Sequence, residues 1–145
     1  MSGDKVVKEV KRPHVAPSEM EKIILKKQEV DNISEKLDII IQSLKLKKYY
    51  FEIKLIIIEA VNNAFIHGNN SDKNKPISLQ WELKENFLVV SVTDCGYGIK
   101  SLINHNEINE DNILEECGRG LYIISSYTDE MEFKDNSIIM KKHIL

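Results

Sequence analysis

The chain has 145 residues, of which 42% are hydrophobic and 30% are charged, and its formal net charge is −3. This length suits one domain with a substantial core, and the charge gives no general attraction to nucleic acid or to an anionic membrane. With no apolar run near the roughly 20 residues of a membrane-spanning helix, no apolar leader and only two cysteines, we expect a cytoplasmic protein without disulfides.

The first 18 residues are predicted to lie outside the folded domain. They carry an excess of basic residues, and Pro13 and Pro17 interrupt any regular element. Both a mobile tail and a short edge strand through the apolar residues fit this composition. We therefore divide the chain into an N-terminal tail, 1–18, and one domain, 19–145.

The first half of the domain is predicted to contain a strand and two helices. Residues 21–30 are short and apolar at the centre, which is typical of a strand. A helix is predicted through 37–44, capped by Asn32 or Ser34. A second helix should run from about Tyr49 to His67.

The second half begins with a change of period from helical to two. Residues 77–84 alternate apolar and polar side chains, and 87–94 form a more apolar return strand, with Trp81 packing the sheet against the helices. A turn follows at 94–99. Helix 118–127 and a closing hairpin over 129–144, with its turn at Asp135-Asn136, complete the chain.

The predicted helix that ends at His67 carries an unusual polar stripe. Glu59, Asn63 and His67 are spaced four apart, so they lie on one face of an otherwise apolar helix. Burial of a carboxylate and a carboxamide is costly without partners. The stripe therefore predicts a ligand, a metal or a polar pocket, and Gly68 is expected to end the helix as a C′ glycine.

Three short motifs follow one another along the chain. They are Glu59-x-x-x-Asn63, Asp94-x-Gly96-x-Gly98 and Gly118-x-Gly120-Leu121. Taken singly, each has a structural explanation: a hydrogen-bonded core pair, a tight connection that needs positive φ, and close packing at a helix start. Their order, with a two-stranded meander and a long loop between them, favours one shared binding site.

In this order the three segments resemble the N-box and the two glycine boxes of the GHKL ATP-binding fold. The strings EAVNNAFIHGN and GRGLYII, in a chain this small, are most similar to the anti-sigma-factor serine/threonine kinases of the RsbW type. The resemblance covers roughly residues 20–144. It implies an α+β two-layer sandwich, the Bergerat fold, with a mixed, mainly antiparallel sheet and helices on one face.

The resemblance also implies ATP and Mg²⁺ as cofactors and assigns a role to each motif. Asn63 would be the magnesium ligand and would contact the nucleotide. Glu59 would be the catalytic group, either as the general base for a serine hydroxyl or as an orienting group. Asp94 would accept a hydrogen bond from the adenine amino group.

The glycine boxes would let the backbone approach the nucleotide closely. Gly96 and Gly98 would flank the base, whereas the second box would bring helix N–H groups, and a guanidinium, to the phosphates. The residues of the second box are Gly118, Arg119, Gly120 and Leu121. The chain has no G-x-x-x-x-G-K-[ST] motif, which excludes a P-loop mechanism.

By the same resemblance, the protein would bind a sigma factor, phosphorylate a small anti-anti-sigma protein of the STAS type, and form a homodimer. The alternative is a nucleotide-gated binding module with little or no kinase activity. Residues 100–117 favour this alternative, because they contain five acidic residues against one lysine and place Glu115-Glu116 before the second glycine box. A detached histidine-kinase domain is disfavoured, since no phosphoacceptor helix pair is present.

Three further residues have two interpretations each. Asn69 could flank the phosphates, but a solvated or capping role is favoured. Cys95 and Cys117 adjoin the two glycine boxes and could form a redox switch, but in a reducing cytoplasm small buried thiols are favoured.

Overall fold

The computed structural model describes residues 20–96 and 119–144. The predicted tail, 1–18, lies outside these ranges, as do Gly98, Gly118 and the acidic segment between the glycine boxes. The division of the chain at residue 18 therefore stays a prediction.

The described residues form five strands and four α-helices. The first half contains β1 Glu21–Leu25, α1 Lys27–Asp31, α2 Ile33–Ser43, a 3₁₀ helix Lys47–Tyr49, α3 Tyr50–Asn63 and a π-helical turn Ala64–Gly68. The second half contains β2 Ile77–Lys84, β3 Phe87–Thr93, α4 Arg119–Tyr127, β4 Glu130–Lys134 and β5 Ser137–His143. None of the helices among these residues is long and apolar enough to cross a membrane.

The strands form one sheet in the order β1-β2-β3-β5-β4, and each of its pairings is antiparallel. The sequence predicted a mixed sheet, and for the described strands this detail is wrong. Strands β3 and β4 do run in the same direction, but β5 lies between them and pairs with both. The chain therefore makes a crossover through α4 without any direct parallel pairing.

The core lies between one face of this sheet and the helices. Alternate side chains of the central strands point into it, and α2 and α3 supply the opposite wall. The buried strand residues are Leu25, Ile77, Leu79, Trp81, Leu88, Val90, Val92, Ile138 and Met140. Trp81 packs the sheet against the helices as predicted. The predicted α+β two-layer sandwich with helices on one face is confirmed.

The segment after β1 differs from the prediction of one long strand over 21–30. The strand ends at Leu25, where the apolar residues end, and α1 begins at Lys27. The Glu29 carboxylate accepts a hydrogen bond from the Lys26 N–H at 2.7 Å, which satisfies one unpaired donor of the helix start. Asn32 precedes α2 as expected, but its side chain donates back to the Gln28 carbonyl instead of capping α2.

Candidate functional site

The helix that carries Glu59 and Asn63 changes its geometry immediately after them. Beyond Asn63 the chain widens into the π-helical turn, in which the Asn69 N–H donates to the Ala64 carbonyl at 2.8 Å. Such turns occur frequently at functional sites. Because the α-helical spacing ends at Asn63, the predicted stripe comprises Glu59 and Asn63 but does not continue regularly to His67.

Helix α4 begins directly against these two side chains. A Cβ atom on Gly120 would lie 2.6 Å from Asn63 Nδ2 and 3.0 Å from Glu59 Oε1, so a larger residue there would displace these two side chains. The structure therefore brings Glu59, Asn63 and Gly120 together, as predicted. Arg119 is exposed at the first position of α4, whereas the side chain of Leu121 is buried in the core.

Asn63 has a buried polar atom that finds no partner among the described residues. The residue is only 6% exposed, and its Nδ2 atom makes no hydrogen bond within the described part of the chain. An unpaired buried donor costs about 1–3 kcal/mol, and native proteins contain few of them. The amide therefore fits a site in which an acceptor arrives with a ligand.

Asp94 lies at the other end of the site, at the end of β3. It is 5% exposed, and its Oδ1 accepts a hydrogen bond from the Gly96 N–H at 2.9 Å. A side chain on Gly68 would collide with the Asp94 carboxylate, and one on Gly96 would collide with the Gly68 carbonyl oxygen. Gly68 is the last residue of the π-helical turn, but its φ is not in the left-handed region, so the predicted role as a C′ glycine is wrong and close packing against Asp94 explains the glycine.

Two asparagines hold the turn that follows Asp94. Asn69 is completely buried, and its Oδ1 accepts a hydrogen bond from the Cys95 N–H at 2.7 Å. Asn136 donates from Nδ2 to the Gly96 carbonyl at 2.9 Å. The prediction of a solvated or capping role for Asn69 is wrong, because its side chain makes tertiary contacts. Cys95 is exposed, and not buried as predicted.

A small cleft opens beside Asp94. Its lining is mostly apolar and comes from the π-helical turn, strand β3 and the β4–β5 hairpin. The lining residues are Ala64, Val92, Phe133, Asn136, Ser137 and Ile138. Its volume is about 10 Å³, which holds about one water molecule. Ala64 is the residue after Asn63, so adjacent residues of the chain connect the Asp94 cleft with the Glu59–Asn63–Gly120 cluster.

The contacts that complete the site could not be recognised from local sequence. Gly68 and Asn69 follow a helix, where glycine and asparagine are common for local reasons. Asn136 lies in a hairpin turn, where asparagine is also common. The only sequence signal for Gly68 and Asn69 is the string HGN that follows the polar stripe. Nothing in the sequence connects Asn136 with the turn at Gly96, which lies 40 residues earlier.

The described residues contain no cluster of three or more histidine, cysteine, aspartate or glutamate side chains suited to a metal. A site built entirely from protein ligands is therefore not found among them. Mg²⁺ commonly takes one or two protein oxygens and fills its remaining positions with water and substrate phosphates. Asn63 Oδ1 is a suitable oxygen for this second kind of site.

Comparison with known proteins agrees with this geometry. Residues 18–142 match the model of the histidine kinase-like ATPase domain. An anti-sigma F factor of Geobacillus kaustophilus is 32% identical over 100 residues, which cover 64% of this chain and 68% of the relative. An anti-sigma F factor of Clostridium perfringens is 33% identical over 98 residues, which cover 63% and 70%.

A third relative, an anti-sigma F factor of Shouchella clausii, is 35% identical over 83 residues, which cover 56% of this chain and 57% of the relative. The family match spans most of the chain, including the helix with Glu59 and Asn63, the Asp94 turn and α4. The chain therefore belongs to the family of histidine kinase-like ATPase domains, which bind ATP, and anti-sigma F factors are among its relatives.

Proposed function

We propose that this protein is an ATP- and Mg²⁺-dependent serine/threonine protein kinase that acts as an anti-sigma factor. The observation that carries the proposal is the amide nitrogen of Asn63, which is buried beside Glu59 against the start of α4 and has no hydrogen-bond partner in the described part of the chain. A triphosphate would supply the missing acceptor at that point. The membership in an ATP-binding family supports the same interpretation.

Asp94 would recognise the adenine base. A buried carboxylate can only accept hydrogen bonds, so it selects a ring that presents an amino group. The apolar residues Ala64, Val92 and Ile138 beside it suit the faces of a purine. Because the cleft holds only about one water, we expect the half-buried Phe133 to move when the base binds.

The cluster around Asn63 would hold the phosphates. Asn63 would donate from Nδ2 to a phosphate oxygen and present Oδ1 to the metal. Magnesium bound there would offset part of the negative charge of the triphosphate. The N-terminus of α4, together with the exposed Arg119 guanidinium, would add N–H donors and positive charge on the same side.

Glu59 would act on the hydroxyl of the acceptor protein. Its carboxylate accepts the hydroxyl proton as the serine or threonine oxygen forms a bond to the γ-phosphorus. The bond between that phosphorus and the bridging oxygen breaks, and ADP leaves with the electron pair. Glu59 is suited to this role because it lies beside Asn63 and Gly120, and not within the apolar core.

The proposed partners follow from the relatives, whose names identify them as anti-sigma F factors. We propose that the chain binds a sigma factor and phosphorylates a small anti-anti-sigma protein of the STAS type. We also propose a homodimer and a cytoplasmic location. In such a switch the nucleotide state would select between the two protein partners.

A second candidate function is a nucleotide-gated binding module without phosphotransfer. It is favoured by the composition of residues 100–117, which contain five acidic residues and one lysine. An excess of negative charge in a protein disfavours the handling of a triphosphate, which is itself negatively charged. ATP binding is common to both candidates, so they differ only in the chemical step.

The test compares transfer and binding in one variant. With γ-labelled ATP and the STAS-type protein of the source organism as acceptor, Glu59→Gln should lower the transfer rate by at least about a hundredfold. The affinity for ATP should remain within about twofold, because glutamine preserves the shape of the side chain. Glu82→Gln, on the sheet strand β2, serves as the matched control and should transfer normally.

Transfer by Glu59→Gln at the parent rate would remove Glu59 from the mechanism. If the parent protein binds ATP but labels no acceptor, the binding-module candidate is correct.

A further inference from the structure

We infer that Asn69 and Asn136 are positioning residues that set the selectivity for adenine by fixing the turn that carries Asp94. This inference rests on the proposed function, because it assumes that Asp94 recognises the base. It goes beyond that function by assigning the selectivity to two residues outside the three sequence motifs. Neither of them is proposed to touch the nucleotide through its side-chain amide.

Asn69 connects three separate segments through one buried side chain. Its Nδ2 donates to the carbonyls of Lys75 at 2.9 Å and Pro76 at 3.2 Å, and its Oδ1 accepts from the Cys95 N–H at 2.7 Å. The residue itself follows the π-helical turn of α3. The first residue after Asp94 is thereby tied to the end of the helix that carries Asn63.

Asn136 holds the same turn from the opposite side. Its Nδ2 donates to the Gly96 carbonyl at 2.9 Å and approaches the Asp94 carbonyl at 3.5 Å. Its own backbone carbonyl accepts from the Asp94 N–H at 3.0 Å. The backbone of Asp94, Cys95 and Gly96 is therefore fixed by one carboxamide from the α3 side and by another from the β4–β5 hairpin.

The hydrogen bonds of Asn69 require both halves of a carboxamide. An aspartate would lose the donors to the two carbonyls and would place a negative charge beside them. An apolar residue would leave the Cys95 N–H and two carbonyls without their side-chain partner. An asparagine that only completes a local turn can remain exposed to solvent. Asn69 is fully buried, because its side chain joins separate segments of the chain.

Precise placement matters because discrimination by hydrogen bonding depends on geometry. A site built to hydrogen-bond one group rejects an analogue that lacks it, provided that its own polar atoms stay in place. Catalytic and binding groups need placement within about 0.5 Å, and supporting residues provide it. Without its two asparagines, the Asp94 turn would still fold, but its carboxylate would lose this placement.

The test measures base selectivity. ATP and inosine triphosphate differ at the position of the adenine amino group, where inosine carries a carbonyl oxygen. Calorimetric titration of the parent protein should give a preference for ATP of at least about tenfold. In Asn69→Ala and in Asn136→Ala we expect this preference to fall to about twofold or less, chiefly through weaker ATP binding.

The matched control is Asn74→Ala, in the exposed loop that follows Asn69. Its side chain makes none of these contacts, so the variant should keep the parent preference for ATP. Asn136 is only partly buried, so Asn136→Ala decides the question if Asn69→Ala does not fold.

The outcomes separate this inference from the function on which it rests. If both asparagine variants lose affinity for the two nucleotides equally, the asparagines have only a structural role and the inference is overturned. The same holds if neither affinity changes. A parent protein that does not prefer ATP, or whose preference survives Asp94→Asn, contradicts the proposed role of Asp94 itself and overturns both.

Discussion

Asn63 is the residue at which the requirements of folding and of binding conflict. Its amide nitrogen is buried and has no partner within residues 20–96 and 119–144, which costs folding free energy. The missing side chain of Gly120 allows α4 to lie directly against this amide. A ligand that supplies an acceptor would remove this penalty. Asn63 should therefore strengthen nucleotide binding and lower the stability of the protein without nucleotide.

Substitution of Asn63 by alanine should therefore have opposite effects on stability and on binding. Without nucleotide, the free energy of unfolding of Asn63→Ala should equal that of the parent or exceed it by up to about 1 kcal/mol. Its affinity for Mg²⁺–ATP should fall at least about tenfold. Urea unfolding and calorimetry measure the two effects.

The adjacent Asn62→Ala is the control for this substitution. Asn62 is exposed on the same helix, so its substitution should change neither the free energy of unfolding nor the affinity for Mg²⁺–ATP by much. A less stable Asn63→Ala with unchanged affinity for ATP would show that Asn63 is an ordinary core asparagine.

Single residues also show where prediction from sequence reached its limit. Glu59, Asn63 and Gly120 were recognised because their spacing within each motif is a local property, and α4 does meet α3 at Gly120. The role of Asn69 depends on Cys95, which lies 26 residues later. No local pattern encodes such a contact, so the sequence predicts a solvated or capping role for Asn69, although its buried side chain joins two distant segments.

Among the elements, α2 and α3 are joined at the protein surface by a polar group as well as through the core. Asp38 on α2 accepts hydrogen bonds from the Lys54 ammonium at 2.8 Å and from the Tyr50 hydroxyl at 2.6 Å, both on α3. The bond from Lys54, followed by that from Tyr50, lowers the pKa of Asp38 below 3.8. The bond to Asp38 likewise raises the pKa of Lys54 above 10.5.

This attachment predicts a dependence of stability on acid. Because the pKa of Asp38 is lower in the folded protein, its contribution is present above the unfolded value and is lost as the pH falls through the folded value. Asp38→Asn should be less stable than the parent at neutral pH. The difference should narrow below about pH 4 and then vanish.

Urea unfolding at a series of pH values measures this difference. Glu132→Gln, at an exposed position of β4, controls for the general loss of a negative charge. A constant difference between Asp38→Asn and the parent at every pH would show that the carboxylate does not contribute through its charge.

The elements themselves were predicted with differing success. The two hairpins were found at nearly their observed bounds, because alternation and turn residues are local signals. Helix α1 was missed: its few polar residues follow an apolar strand, and its start depends on the contact between Glu29 and the Lys26 N–H. The antiparallel pairing of every described strand depends on β5 inserting between β3 and β4, which no single segment encodes.

At the scale of the whole molecule, the site is assembled from segments that are distant in sequence. The end of α3, the turn after β3, the start of α4 and the β4–β5 turn meet at one side of the helical layer. Binding at such a site should stabilise the folded chain, by about 2.7 kcal/mol when the ligand is present at a hundred times its dissociation constant. The central claim is that this site holds Mg²⁺–ATP with its base on Asp94.

Calorimetric titration of ATP in the presence of Mg²⁺ tests this claim most directly. The parent protein and the control Asp31→Asn, at an exposed position of α1, should bind one ATP per chain with equal affinity. Asp94→Asn should bind at least about tenfold more weakly, because its single amide oxygen accepts the bond from the Gly96 N–H and leaves an N–H donor toward the adenine amino group. Equal affinity in all three proteins, or no binding by the parent, would contradict the account.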